Sequence, residues 1–274
     1  MKVWAVANQK GGVGKTTTAI TLGGLLAARG AQTLLVDMDP HGSLSSYFGH
    51  DPDGNASSLY QLFQKRDGVT GAIELVRETK FNHLFVLPAS TALATLDRQL
   101  GTQEGMGLVL ARALAQLSAD FEYALIDCPP ILGVLMVNAL AACDHLVIPV
   151  QTEFLALKGL ERMLRTLTMV TRARKLPLQY TIVPTLFDRR TRAALDSLQT
   201  LRSRYASTVW QAEIPIDTQF REASRLGVPL SLSHPRARGA LAYQELLETL
   251  LGAAPSQPQQ PNGAQTAASS RQVA

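Results

Sequence analysis

Cysteine is scarce in this chain of 274 residues, which contains only Cys128 and Cys143. Two thiols so far apart in sequence cannot form the closely spaced pairs that hold structural metals or carry out redox chemistry. We therefore interpret both residues as reduced parts of the core, and Cys128 as a small apolar side chain beside an acidic residue rather than a reactive thiol.

Long hydrophobic runs are also absent, although 46% of the residues are hydrophobic. No apolar run approaches the ~20 residues that a membrane-spanning helix needs. The first residues, MKVWAVANQKGG, lead at once into an apolar segment, so we expect no signal peptide. These features predict a cytoplasmic protein with one large α/β core.

The last 23 residues lack leucine, isoleucine, phenylalanine and tryptophan and are rich in alanine, proline, glutamine and serine. A segment of this composition cannot bury enough apolar surface to offset the entropy lost on ordering. We expect one folded domain over residues 1–251 and a disordered tail over residues 252–274.

Positive charge is concentrated in one part of the chain, although the net charge is only +4. Residues 1–150 contain 10 Lys and Arg against 13 Asp and Glu, whereas residues 151–238 contain 15 against 7. This asymmetry favours a polyanionic partner, and nucleic acid is the first candidate. A charged helix face is often simply solvated, so the basic segment 151–175 does not by itself identify a binding surface.

A glycine-rich stretch at residues 8–18, NQKGGVGKTTT, lies between an apolar run at 3–7 and an Ala- and Leu-rich segment at 19–28. This order predicts a strand, a tight loop and a helix, the arrangement that binds nucleotide phosphates. The glycines let successive backbone N–H groups point at phosphate oxygens, and the helix N-terminus adds positive potential. Lys15 is placed to reach the β- and γ-phosphates, and the Thr16 hydroxyl to bind Mg²⁺.

The loop departs from the common pattern G-x-x-x-x-G-K-[ST], because Gln9 replaces its first glycine and a second lysine, Lys10, follows. KGGVGKTTT resembles the deviant Walker A motif of the ParA/MinD family of ATPases. The resemblance implies a homodimer closed on ATP, in which Lys10 reaches the partner's nucleotide. It also implies these nucleotide-binding residues: Lys10, Gly11, Gly12, Val13, Gly14, Lys15, Thr16, Thr17, Pro184, Pro215 and Ile216.

Acidic residues follow two apolar segments that we predict to be strands. Asp37 and Asp39 follow residues 33–36, and Asp127 follows residues 123–126. The carboxyl ends of parallel strands form the ligand-binding edge of an α/β sheet, so these carboxylates are candidates for binding Mg²⁺ or orienting water. We assign Mg²⁺ to Thr16, Asp37 and Asp127.

Two of these acidic segments, DMDPHGS and LIDCPP, resemble the DxDPQGN and IDxPP segments of ParA proteins. The resemblance implies that Asp39 is needed for hydrolysis, with Lys10 and Lys15 as the other catalytic residues. His41 stands where the family usually has Gln, and no role is transferred to it.

Further apolar segments alternate along the chain. We predict strands at 84–87, 146–150, 178–184 and 210–214, and helices at 59–63, 72–76, 105–117 and 134–142. Within residues 151–175 we predict a loop followed by a long amphipathic helix. This alternation predicts an α/β fold with a doubly wound, mostly parallel sheet and helices on both faces.

The C-terminal segments REASRLGVPL and HPRARGALAYQELLETL also match the family. In its DNA-binding members a basic residue at the position of Arg236 contacts the phosphate backbone. The resemblance therefore implies non-specific DNA binding, for which the candidate residues are Arg202, Arg204, Arg221, Arg236 and Arg238.

The resemblance covers residues 2–250 and implies an ATP- and Mg²⁺-dependent switch that positions or segregates a cargo. Its hydrolysis is expected to be weak and stimulated by a ParB-like or cargo-adaptor protein. Stretches such as IPVQTEFLALKGLERM resemble the ParA-like proteins encoded beside chemotaxis and flagellar genes. The expected cargo is a chromosome or plasmid partition complex or a polar chemotaxis array, on the nucleoid or at a cell pole.

Three alternatives have specific requirements. A MinD-like membrane ATPase ends in a basic amphipathic helix, whereas this tail has one cation, Arg271, and no apolar face. An iron–sulfur carrier of the NifH/Mrp type needs paired cysteines. An enzyme of the cobyrinic acid a,c-diamide synthase type needs a glutaminase domain with a nucleophilic Cys, for which we expect no room.

Overall fold

The structure is a computed structural model that describes residues 1–54, 56–64, 71–96, 105–173 and 177–252. Within these residues, the apolar segments form a seven-stranded sheet. The strands are β1 (Lys2–Val6), β2 (Thr33–Asp37), β3 (Arg77–Glu78), β4 (Leu84–Leu87), β5 (Tyr123–Asp127), β6 (His145–Gln151) and β7 (Gln179–Thr185). Their order is β3-β4-β2-β5-β1-β6-β7, and all neighbours pair in parallel except β3 with β4. Strands buried on both faces are mainly apolar, as the central Leu34, Leu35 and Val36 of the fully buried β2 illustrate.

Helices cover both faces of this sheet. They are α1 (Lys15–Ala28), α2 (Ser43–Tyr47), α3 (Tyr60–Gln64), α4 (Ala72–Leu75), α5 (Val109–Gln116), α6 (Val134–Ala142), α7 (Phe154–Val170), α8 (Arg192–Arg204), α9 (Gln219–Leu226), α10 (Leu230–Ser233) and α11 (Arg238–Gly252). One core cluster packs α1 and α11 on one face, and the other packs α3, α5, α6 and α7 on the opposite face. The doubly wound α/β prediction is confirmed.

The predicted strand at 210–214 is wrong. This segment runs beside β7 but bridges it only at isolated positions, Ile182 with Val209 and Phe187 with Pro215. The Ile214 N–H donates to the carbonyl of Pro184 at 2.8 Å, but Pro184 has no N–H with which to continue the ladder. The segment is therefore a loop that follows β7 at the carboxyl edge of the sheet.

The helix predicted at 105–117 begins later than its apolar pattern: a 3₁₀ turn (Met106–Leu108) comes first, and α5 follows it. In the segment at 151–175 the helix begins at Phe154, and Gln151 before it still pairs in β6. Arg174, Lys175 and the tail beyond residue 252 lie outside the described residues.

Candidate nucleotide-binding site

The sheet order brings the predicted site residues to one edge. Asp37 and Asp127 are register partners at the carboxyl ends of β2 and β5, and Val6 at the end of β1 is the register partner of Asp127 on the other side. The glycine-rich loop follows β1, and Gln151 ends the next strand, β6. Four segments distant in sequence thus meet, as expected for the ligand-binding edge of an open α/β sheet.

The glycine-rich loop has the backbone geometry of an anion-binding turn. Gly12 and Gly14 have φ angles of 73° and 92°, in the left-handed region that strongly favours glycine. Gly14 is the N-cap of α1 and provides no side-chain cap, so the first N–H groups of α1 are available to a ligand. The buried Thr185 hydroxyl donates to the Val13 carbonyl at 2.9 Å and fastens the loop to β7.

The two lysines of the loop occupy different places. Lys15 is buried, lies in the wall of the cavity described below, and its Nζ donates to the Lys10 carbonyl at 3.3 Å. The Lys10 ammonium instead contacts the carboxylate of Glu153 and lies 3.3 Å from Oε1 of Gln151. Partial burial lowers the pKa of Lys10. Lys10 does not contribute to the wall of its own cavity, although Gly11 to Thr17 do.

The two in-register carboxylates are buried, and neither forms a salt bridge within the described residues. Burial raises the pKa of Asp37 to about 6, although this carboxylate accepts hydrogen bonds from the N–H and hydroxyl of Ser45 at 2.8 and 2.7 Å. Burial, and then the charge of Asp37, raise the pKa of Asp127 well above its usual range, opposed by Thr16 and Lys15. Both Asp127 carboxylate oxygens accept no hydrogen bond from any described residue.

Asp39 lies at the mouth of the same site, in the turn between β2 and α2. Its side chain is 15% exposed and borders the cavity. Its N–H donates to Oδ1 of Asp37 at 3.1 Å, and its own Oδ1 accepts from the backbone N–H and Nδ1 of His41 at 3.0 and 2.8 Å. The turn therefore holds the Asp39 carboxylate at the edge of the phosphate loop.

A cavity of about 550 Å³ opens from the phosphate loop. Of the residues that the family resemblance suggests beyond the loop, Pro215 and Ile216 line this cavity. Pro184 is buried in β7, and Thr185 and Leu186 border the cavity there instead. Arg221, a predicted DNA contact, also lines it. Its remaining wall comes from α1, α2, α9, α10 and α11, including Ile20, Tyr47, Phe220, Leu230 and Tyr243.

The four other predicted DNA contacts divide into two pairs. Arg202 is engaged by Glu213 at 2.9 Å and by the Gln211 carbonyl, and Arg204 by Glu161 at 2.6 Å. Arg236 and Arg238 are exposed and form no ion pair within the described part of the chain. Only this second pair presents free cations, since ion pairs already satisfy the first.

Several residues at the site escaped the sequence interpretation. Asn8 accepts from the Lys10 N–H at 2.9 Å and donates to the Pro149 carbonyl at 2.7 Å, which ties the loop to β6. Glu153 contacts Lys10, and the Tyr243 hydroxyl forms a 2.7 Å hydrogen bond with Thr18. These contacts join positions more than 100 residues apart, apart from that of Asn8 with Lys10. Of these contacts, only the one between Asn8 and Lys10 could have been predicted from the sequence, because an Asn side chain can accept a hydrogen bond from the N–H two residues later.

The parallel sheet, the left-handed glycines, the uncapped helix N-terminus and the buried Lys15 together define a P-loop nucleotide-binding protein. A family model described as an AAA domain matches residues 1–180. The sporulation initiation inhibitor protein Soj of Bacillus subtilis is 36% identical over 89% of this chain and 96% of its own length. The chromosome partitioning protein ParA of Myxococcus xanthus is 35% identical over 91% of this chain and 88% of its own.

The fold of a solved relative agrees with these matches. A structure named cobyrinic acid a,c-diamide synthase, from Mycobacterium smegmatis with bound ATP analog and magnesium, is 36% identical and superposes with a TM-score of 0.79. The match covers 92% of this chain and 94% of that one. The chain belongs to the ParA/Soj family of P-loop ATPases.

Proposed function

We propose that this protein is a switch that binds ATP and Mg²⁺, pairs with a second copy of itself, and then binds DNA without sequence preference. The position of Lys10 carries the proposal. Its ammonium lies beside the cavity at Gln151 and Glu153, whereas Lys15 serves the cavity of the same subunit. A lysine placed outside its own phosphate site is available to the nucleotide of a facing subunit.

Exposed apolar residues near Lys10 support the proposal that the partner is a second copy of this chain. Phe154 and Leu155, which directly follow Glu153, are 67% and 70% exposed, and Ile131 after β5 is 66% exposed. All three lie at the carboxyl edge of the sheet, where the nucleotide site opens. Large exposed apolar side chains around a functional cation are a feature of association surfaces. Face-to-face closure would bury them together with the phosphates.

The buried carboxylates fit Mg²⁺. The oxygens of Asp127 have no hydrogen-bond partner among the described residues, and burial without a partner is costly unless a cation is supplied. Thr16, Asp127 and Asp37 are the residues that would hold the ion, which offsets negative charge on the β- and γ-phosphates when bound.

The residues of the chain divide the remaining work of hydrolysis. The N–H groups of the glycine-rich loop and the first turn of α1 bind phosphate oxygens, and the Lys15 ammonium adds positive charge beside them. Asp39 accepts a hydrogen bond from the attacking water and orients it toward the γ-phosphate. Lys10 of the facing subunit adds a second cation, so hydrolysis depends on pairing.

The DNA surface is proposed at Arg236 and Arg238, which flank the start of α11 and are exposed. The Gly239 N–H, next in sequence, donates to Asp217 of the cavity wall at 3.0 Å, so the basic turn is attached to the nucleotide pocket. Pairing two subunits doubles the phosphate contacts made in one event. Affinity for DNA should therefore rise steeply with ATP and fall steeply with salt.

The names of the relatives favour partitioning as the biological role. The Soj and ParA relatives are named for sporulation control and chromosome partitioning. We propose that this chain moves a partition complex over the nucleoid with a ParB-like activator. A polar chemotaxis array, reached through a cargo adaptor, is the second cargo that the sequence favours, and a pull-down from the native cell distinguishes the two.

The proposal is tested by size-exclusion chromatography and DNA retention with ADP and with a slowly hydrolysed ATP analogue. We expect a dimer and retained DNA with the analogue only.

Arg236→Glu with Arg238→Glu should abolish retention and leave dimerisation intact, whereas the matched pair Arg202→Glu with Arg204→Glu should retain DNA. A protein that stays monomeric and ignores DNA with every nucleotide would contradict the proposal. Among the described residues, none of the helices has the length and hydropathy of a membrane span. Anionic vesicles in a parallel arm of the experiment test binding to a membrane surface.

The name of the M. smegmatis structure provides a second candidate, an ATP-dependent amidation. That chain has about the same length as this one, so chain length does not distinguish the two functions. The thiols argue against a glutamine-dependent reaction, because both cysteines are buried and burial raises the pKa of Cys128 well above its usual range. Neither can act as an exposed glutaminase nucleophile. ATP hydrolysis that depends on cobyrinic acid and ammonia or glutamine, and not on DNA, would favour this candidate.

A further inference from the structure

We infer that His41 is a positioning residue for hydrolysis, one that fixes the carboxylate of Asp39. This inference rests on the proposed role of Asp39 as the residue that orients the attacking water. His41 lies two residues beyond Asp39, in the turn that leads into α2. Its ring nitrogen Nδ1 is 2.8 Å from Oδ1 of Asp39, and its backbone N–H donates to the same oxygen at 3.0 Å.

The two oxygens of Asp39 therefore have different surroundings. Oδ1 accepts both donors from His41, and the hydrogen bonds that the Asp39 side chain forms within the described residues are to this oxygen and not to Oδ2. A carboxylate held at one oxygen has a fixed plane, and its second oxygen remains free to accept a hydrogen bond from water. An orienting contact of this kind contributes to catalysis by limiting the conformations of the group that meets the water.

The surrounding turn is rigid enough for such a contact to matter. The Asp39 N–H donates to Asp37, and the Gly42 N–H donates to the Asp39 carbonyl at 2.8 Å. Gly42 has a φ of 62° and is the N-cap of α2. With the backbone of the turn fixed, rotation of the Asp39 side chain is the main remaining freedom, and the imidazole restricts it.

The donor must be Nδ1–H, which exists in the Nδ1-protonated neutral ring and in the imidazolium, so the contact does not depend on a change of charge. The other nitrogen, Nε2, belongs to a side chain that is 77% exposed. The contact with Asp39 thus requires an N–H donor at the δ position of residue 41, which a substitution can either remove or retain.

The test measures ATP hydrolysis, ATP affinity and ATP-dependent dimerisation of the full chain. His41→Ala and the ring-preserving His41→Phe should lower kcat about fivefold, the size expected from an exposed charge-assisted contact, with KM for ATP and the dimer unchanged. His41→Asn places an N–H donor near the δ position and should restore most of kcat. His50→Ala, a histidine on the following loop whose side chain makes no hydrogen bond to a described residue, is the matched control and should hydrolyse ATP normally.

A double-mutant cycle separates this role from a structural one. If His41 acts through Asp39, His41→Ala should have no further effect on kcat in an Asp39→Ala background. An equal additional loss in that background would overturn the inference, as would a normal rate in both His41→Ala and His41→Phe beside a slowed Asp39→Ala. If the unaltered protein neither hydrolyses ATP nor pairs, the proposed function itself fails.

Discussion

The ammonium of Lys10 contacts the carboxylate of Glu153 within one subunit, across 143 positions of sequence. The same ammonium would have to leave Glu153 in order to reach a partner's phosphates. If two subunits pair as proposed, Glu153 would compete with the partner's nucleotide for Lys10.

Replacing Glu153 by Gln should ease ATP-dependent dimerisation. The pair is partly exposed, so we expect the dimer dissociation constant with a slowly hydrolysed analogue to fall by at most about fivefold. Sedimentation velocity across a concentration series measures it. Glu161→Gln, on the helix α7 that Glu153 precedes and paired with Arg204, is the control. A weaker dimer in Glu153→Gln would show that Glu153 supports the interface instead of competing with it.

Substitutions of the two lysines of the loop should have different effects on ATP binding and on dimerisation. Lys15→Ala removes a buried cation from the phosphate cavity and should weaken ATP binding by about 100-fold or more. Lys10→Ala should bind ATP with near-normal affinity and remain monomeric, because its ammonium lies beside its own cavity. Isothermal titration and size-exclusion chromatography measure the two properties, and normal ATP binding by Lys15→Ala would contradict the site assignment.

The buried carboxylates predict a specific pH dependence of stability. The pKa of Asp37 is raised to about 6 from 3.8, and that of Asp127 is also raised, so the folded protein holds protons that the unfolded chain releases. The contribution of Asp37 to the free energy of unfolding therefore falls between about pH 4 and 6 and remains low above it, and that of Asp127 falls as the pH rises above about 4.

Thermal unfolding without Mg²⁺ checks this dependence. Asp127→Asn should be more stable than the unaltered protein above pH 6, and the difference should shrink toward pH 4. Mg²⁺ with ADP should stabilise the unaltered protein much more than the variant. A difference that is independent of pH, or that reverses sign above pH 6, would contradict the predicted cost of the buried charge.

The hydrogen bond between Tyr243 and Thr18 should contribute measurably to stability. Both residues are fully buried and the oxygens are 2.7 Å apart, so Tyr243→Phe leaves the Thr18 hydroxyl without this partner. We expect a loss of about 1–2 kcal/mol, or roughly 2–6 °C in Tm for a chain of this size. Tyr60→Phe, whose hydroxyl bonds to no described residue, should unfold as the unaltered protein does. Equal Tm values for Tyr243→Phe and Tyr60→Phe would contradict the predicted contribution of this hydrogen bond to stability.

Much of the fold followed from local patterns. The strands β2, β4 and β5 match their apolar runs closely, because strands buried on both faces need continuous apolar residues. The segment at 210–214, WQAEI, is also predicted to be a strand but is not one, because Pro184 of the neighbouring β7 has no N–H with which to continue the ladder. Strand formation there depends on the pairing partner, which a local pattern does not contain.

The sequence by itself determined the phosphate loop, the acids at the strand ends and the family, because each depends on residue types at fixed short spacings. Only the tertiary structure decided that Lys10 meets Glu153, that Arg202 and Arg204 are already paired, and that Arg221 lines the cavity. These contacts arise where the crossing order of the sheet and the packing of helices on its faces bring distant segments together. A short motif fixes the chemistry of its own loop, whereas the charges that face it are set by the fold as a whole.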